Sequence, residues 1–276
     1  MNILKLIEKF DMGDESQFEK TATRRESLAK ISDFGKKAAF AAVPMILLNA
    51  LPKKAMAGVT AMAGADQVTD VLNFALTLEY LERNFYTMGV SSGVVPANDL
   101  VVINQIKKHE VAHVTFLIEA INSLQGTPVA EPTFDFTAGG AFSPFTKYAE
   151  FLALAQAFED TGVRAYKGQA GNLMGSDAVL NAALRIHSVE ARHAAEVRML
   201  RKQNGLDGDN KAWIVGKSRG TMPAATQAVY DGEENVMQGG VDVTTKTNVG
   251  TPAVQEAFDE PLSDTQVFDI AKLFIK

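Results

Sequence analysis

The chain has 276 residues, 46% of them apolar, and 33 acidic against 27 basic side chains give it a net charge of −6. That is enough apolar material for one large packed domain with appendages, and the lack of long basic runs excludes the electrostatic footprint of nucleic-acid binding. Cysteine is absent, which excludes disulfides, thiolate ligands and iron–sulfur clusters and leaves carboxylate and imidazole as the strong metal ligands.

Residues 1–65 read as a leader. Thr23-Arg24-Arg25-Glu26-Ser27-Leu28 is followed by an apolar run at 38–51, an arrangement similar to a twin-arginine export signal. Ala55-Met56-Ala57 supplies small residues where a peptidase can cut, and the run, interrupted by Pro44 and Asn49, is too short for a stable membrane span. The expectation is export to the periplasm or cell envelope. A leader retained as an amphipathic helix would leave the protein cytoplasmic.

Four helical segments follow, within a domain expected over residues 66–205. The first covers 67–88, with Val71, Phe74, Ala75, Leu78, Leu81 and Phe85 on one face and Gly89 as its stop. The second opens at Asn98-Asp99 and runs through Ile103, Ile106, Val114, Leu117 and Ile121 to Gln125-Gly126. Ser143-Pro144 supplies an N-cap and a first-turn proline for the third, which should end near Gly168. Ser176-Asp177 caps the fourth, whose Arg198, Arg201 and Lys202 approach Gly205 in keeping with the helix dipole.

The links within each pair of helices are short and suit antiparallel neighbours. The link from Gly126 to Ser143, with Pro128, Pro132, Phe134, Phe136, Gly139 and Gly140, is long enough to cross a bundle. Residues 206–276 lose periodicity among repeated glycines and read as a wrapping tail. Trp213, Tyr230 and Phe258 are its expected anchors, and 264–275 forms a short helix with Val267, Ile270, Leu273 and Phe274 as apolar positions.

The second helix carries Glu110-Val-Ala-His113 and the fourth Glu190-Ala-Arg-His193, and a three-residue spacing puts both side chains of each pair on one helix face. With 17 glutamates and four histidines, chance supplies about 0.25 such pairs per chain, so two carry weight. Glu79 precedes Glu110 by the same interval that separates Glu159 from Glu190, so the halves repeat at an offset of 80 residues. That offset also places Tyr86 on Tyr166, Phe74 on Leu154, Ala75 on Ala155 and Ile106 on Ile186. Any one of these acids alone reads as solvated surface, whereas a duplicated register does not. Glu82 competes with Glu79, but its counterpart is Gly162, so the symmetric choice is Glu79.

Glu, Glu-x-x-His, Glu, Glu-x-x-His on four successive helices resembles the ferritin, bacterioferritin and rubrerythrin superfamily. The leader and the Gly-rich tail are similar to those of the bacterial ferritin-like-domain family, some members of which are called desiccation-related. The resemblance implies an all-α, antiparallel four-helix bundle with one long crossover between helices two and three. It implies two metal ions, iron or manganese, with Glu110 and Glu190 bridging, Glu79 and Glu159 terminal, and His113 and His193 on one ion each. Four glutamates in a core are costly unless neutralised, and two divalent cations cancel their charge. Tyr86, Tyr166 and His187 are expected around the ligands, although a tyrosine ring in the core with its hydroxyl satisfied is the plainer role. His109 either orients a ligand or faces solvent. Glu233 and Glu234 either cover the site or lie in a solvated loop, the latter being expected.

The implied function is a di-metal protein reacting with dioxygen or hydrogen peroxide, as a metal oxidase or in peroxide detoxification. The alternatives are non-enzymatic metal binding or iron storage with a stress-protective role, and a scaffold that binds no metal. Homo-oligomeric assembly is left open: a hollow cage would point to storage.

Overall fold

The computed structural model describes residues 65–276, so the arginine pair, the apolar run and the small-residue site of the leader lie outside the described residues. Four long helices, α1 (Ala65–Ser92), α2 (Leu100–Ser123), α3 (Tyr148–Ala170) and α4 (Asp177–Gln203), form the body of the molecule. A helix of 24 residues spans about 36 Å, and the short links at 93–99 and 171–176 cannot carry the chain back over that length. The two helices of each hairpin therefore run antiparallel. The first packs along the second and the third along the fourth, and contact between α1 and α3 joins the two hairpins into a bundle.

The third helix is the axis of the packing. Every residue from Phe151 to Tyr166 is buried, because α1, α4 and the tail enclose it on all sides. An aromatic cluster ties these elements together: Phe85 of α1 stacks on Phe151 of α3 with ring centroids 4.8 Å apart, and Phe136 of the crossover and Phe158 meet its ring edge-on. Among the described residues no helix is long and apolar enough to cross a membrane.

Several expected boundaries move. The first helix runs through Gly89 to Ser92 and gives way at Gly93, which has φ of +75°. Gly89 serves a close approach instead, since a Cβ there would overlap the Phe151 ring. Ser143-Pro144 opens a separate turn, and α3 begins at Tyr148, five residues after Ser143. The Glu150 carboxylate in the first turn of α3 accepts from the Ser143 backbone N–H at 2.5 Å and so ties that turn to the helix. Gly168 does not end α3, which continues to Ala170. It is the place where the tail crosses, and a Cβ there would strike the Leu262 carbonyl oxygen.

The ends of α2 and α4 follow the expectation. Gly126 N–H reaches Ile121 O and Gln125 N–H reaches Asn122 O, a closing motif that puts Gln125 at φ of +63°. Leu206 and Gly205 close α4 in the same way. Asp99 stands at the N-cap of α2, yet its carboxylate accepts from Tyr148 Oη at 2.8 Å and Asn204 Nδ2 at 2.9 Å, joining three helix ends.

The tail wraps the bundle. A turn of 3-10 helix (Ala224–Val229) precedes a minimal hairpin of β1 (Met237–Gln238) and β2 (Val241–Asp242), whose two turn glycines both have positive φ. The short helices α5 (Thr251–Gln255) and α6 (Asp264–Ala271) follow, the latter opened by a Ser263–Gln266 capping box. Of the expected anchors Tyr230 is fully buried, Phe258 half-buried, and Trp213 half-exposed with its indole N–H on Glu256 Oε2 at 2.9 Å. Val267, Ile270 and Phe274 are buried as expected, but Leu273 faces solvent. An antiparallel bridge pairs Ile275 with Phe134, so the last turn of the tail is fastened to the crossover.

Arg198 and Arg201 do not lie free at the end of α4. Both are buried under the tail: Arg198 pairs with Asp160, and Arg201 donates to Gln156 Oε1 at 2.6 Å. Tyr230 Oη donates to Asp160 at 2.7 Å within the same network.

Candidate metal centre

Each long helix contributes to one cluster at the middle of the bundle. Glu79 from α1, Glu110 from α2, Glu159 from α3 and Glu190 from α4 have no exposed surface, and His113 and His193 are buried beside them. His113 Nδ1 lies 3.1 Å from Glu79 Oε2, 3.0 Å from Glu110 Oε2 and 3.1 Å from Glu190 Oε1. His193 Nδ1 lies 2.8 Å from Glu110 Oε1, 3.3 Å from Glu159 Oε2 and 3.7 Å from Glu190 Oε2. Glu110 and Glu190 thus turn one oxygen to each imidazole, while Glu79 and Glu159 face one imidazole apiece. The ligand-type atoms fall into two groups, Glu79, Glu110, His113, Glu190 and Glu110, Glu159, Glu190, His193, each within a 4.8 Å spread.

The tyrosines cross the bundle. Tyr166 Oη donates to Glu79 Oε1 at 2.5 Å, and Tyr86 Oη donates to Glu159 Oε1, so each of these two carboxylates is held by the phenol of the other hairpin. Burial, and then the adjacent carboxylate, push both phenol pKa values well above their ordinary range, which keeps these hydroxyls as donors. His187 does not join the cluster: its Nδ1 reaches the Val163 carbonyl at 3.0 Å.

His109, left undecided by the sequence, is the histidine that meets a cluster residue. Its Nδ1 is 2.8 Å from His193 Nε2 and the two rings stack at 5.0 Å. The signal was present in His109-Glu110-Val-Ala-His113, which sets two histidines one turn apart on the same helix face. Glu82 is a further buried acid at the cluster. Its Oε1 lies where a Gly162 side chain would crowd it, 3.3 Å from an ideal Cβ. Glu233 is neither over the cluster nor solvated, being buried with its Oε1 2.8 Å from Arg164 Nε, whereas Glu234 is exposed.

The electrostatics divide the acids into two classes. Burial drives Glu79 up to about 8 against the pull of His113, and drives Glu82 and Glu159 well above the usual carboxylate range. Glu110 and Glu190 are as deeply buried, but the His113 and His193 imidazoles standing against them, the former hydrogen-bonded to Glu110, outweigh that penalty and hold both below the ordinary value. The imidazoles gain correspondingly: burial opposes their charge, and the surrounding glutamates more than offset it, leaving both well above the usual histidine range. Without cations these shifts run toward charge balance, the raised carboxyls favouring their neutral form and the imidazoles their charged one.

Hydrogen bonding within the cluster is incomplete. Glu110 Oε1, Glu159 Oε2, both Glu190 oxygens and His193 Nδ1 are buried with no hydrogen bond, although His193 Nδ1 and Glu110 Oε1 stand 2.8 Å apart. They are close without being aligned, which leaves their lone pairs open to another partner. Buried oxygens in this number, with one imidazole nitrogen per group, can hold oxygen-preferring divalent cations. A family model described as a ferritin-like domain matches residues 67–203. No curated protein matches the chain.

Proposed function

Because residues 67–203 place this chain in the ferritin-like domain family, we propose that it binds two divalent cations, iron or manganese, at the convergent cluster and exchanges electrons there with dioxygen or hydrogen peroxide. The observation that carries the reading is the set of buried, unbonded ligand atoms shared between two groups of four residues. Glu110 and Glu190 would contact both cations, Glu79 and His113 one, and Glu159 and His193 the other. Such a pair supplies one- or two-electron exchange with an oxygen-derived oxidant when bound. The chain's own contribution is positional. Tyr86 and Tyr166 hold their protons and fix Glu159 and Glu79 by donating to the oxygen turned away from the imidazole, and complete burial of the four carboxylates keeps bulk water from them.

That same burial supports a second reading, in which the cations are stored or serve structure and stress protection without turnover. The test is metal content per chain in protein from its native host, followed by exposure to each oxidant. Two iron or manganese ions per chain, lost in Glu110→Gln and Glu190→Gln, with a metal-centred optical change on adding oxygen or peroxide, are the expected results. Full occupancy with no response to either oxidant would favour the second reading, and a hollow particle would make it storage. Absence of stoichiometric metal would sink both.

A further inference from the structure

The 80-residue repeat that places the ligands is broken at two positions beside them, and both breaks fall on the same side of the cluster. His109 superposes on Val189, and Glu82 on Gly162. His193, whose Nδ1 faces the carboxylates, is backed at its other nitrogen by His109 at 2.8 Å, and His109 Nε2 in turn lies 2.6 Å from the end of the Gln105 side-chain amide; a half-turn of that amide brings its oxygen to His109 Nε2–H and leaves His109 Nδ1 to accept from His193. His113 faces the carboxylates in the same way, but valine occupies the matching position, and no residue among those described hydrogen-bonds its Nε2.

Glu82, one turn after Glu79 on α1, is 3% exposed. A Cβ on Gly162 would lie 3.3 Å from Glu82 Oε1 and 3.6 Å from Glu190 Oε2. Of the two Glu190 oxygens, Oε2 is the one turned to His193 and Oε1 the one turned to His113. Glycine at 162 thus leaves room for a fifth carboxylate, which feels the charges of Glu190 and Glu159 ahead of those of Glu79 and Glu110 and so leans toward the His193 side.

We propose that the two cation positions are unequal: the one framed by Glu110, Glu159, Glu190 and His193 fills first and holds its ion more tightly, with His109 as a positioning residue and Glu82 as an additional carboxylate. This rests on the two-cation reading above. A partner that accepts the distal N–H of a ligating imidazole fixes its tautomer and ring orientation, and losing such a partner weakens metal affinity by about 10–100-fold. An extra carboxylate adds charge and an oxygen donor at the same position.

The test is titration of the metal-free full chain with Mn2+ alone, followed by calorimetry and electron paramagnetic resonance. The first equivalent should give the spectrum of an isolated ion, and the second should replace it with that of a coupled pair. Glu159→Gln should remove the tight phase and Glu79→Gln the weak one. His109→Ala should weaken the tight phase about 10–100-fold while sparing the weak phase. His109→Gln, which keeps an acceptor, should recover part of that loss, and Glu82→Gln should also weaken the tight phase alone. Val189→Ala should alter neither phase, and matched melting of the metal-free variants separates lost positioning from lost folding. Two ions entering with one affinity, or His109→Ala weakening both phases alike or neither, would overturn the inequality and leave the two-cation reading standing. Failure to bind Mn2+ at all would overturn that reading and the inequality with it.

Discussion

Two glutamates at equal depth in the same cluster hold their protons very differently. Glu159 is pushed up by burial, whereas Glu190, buried to the same degree, is pulled down by two imidazoles. Loading two cations therefore displaces protons from the raised groups among the site residues, Glu79, Glu159, His113 and His193, and from Glu82 where it joins them. The sign follows: groups raised above their ordinary values keep their protons as pH falls and compete with the metal, so affinity rises with pH and is lost on acidification through and below neutrality. Calorimetric titrations in buffers of different ionisation enthalpy should return a net release of protons, and a release near zero would mean that the cluster is not the binding site. Glu79, Glu110, His113, Glu159, Glu190 and His193 were legible in the sequence because the duplicated spacing fixes helix faces, and faces fix convergence. His109 and Glu82 were visible in the sequence but without a role, because each breaks the repeat and acquires its surroundings only when α4 or α3 packs against it.

Helix existence and order were readable from apolar period, and helix ends were readable where the closing motif is local, as at Gln125-Gly126 and Gly205. They were misread at Gly89 and Gly168, where glycine answers to a neighbouring element rather than to its own helix. Local sequence carries no sign of the Phe151 ring or the Leu262 carbonyl that takes up the space. Ser143-Pro144 misled for a related reason: its cap-and-proline chemistry serves a turn held to α3 by Glu150. Gly89→Ala should cost about 1–3 kcal/mol by overpacking against Phe151, despite the better helix propensity of alanine. Denaturant midpoints should show it, and Phe151→Ala in the same chain should recover part of the clash term. A stabilised Gly89→Ala variant would mean that the ring is free to move aside.

The tail is bound to the bundle through buried charge as well as apolar contact. Arg164 of α3 is almost completely enclosed, pairs with Glu233, and donates to the carbonyls of Val229, Asp231 and Glu260. Nothing in the sequence announced this, since a lone arginine on a helix reads as solvated. Removing one partner of such a pair leaves the other buried and uncompensated, so Arg164→Ala should cost about 3–5 kcal/mol and open residues 206–276 to limited proteolysis before the bundle itself is cut. Equal protection of tail and bundle in that variant would show that apolar contacts suffice. Bound cations would add a second tie at the scale of the whole molecule: each group of four candidate ligands draws on both hairpins, whose direct contact is otherwise sparse compared with contact inside each hairpin. Occupancy would then act as a clasp between halves, and cohesion of the fold would share one equilibrium with the free concentration of the ion. Any melting point measured for this protein would be a reading of its buffer's trace-metal activity as much as of its amino-acid sequence.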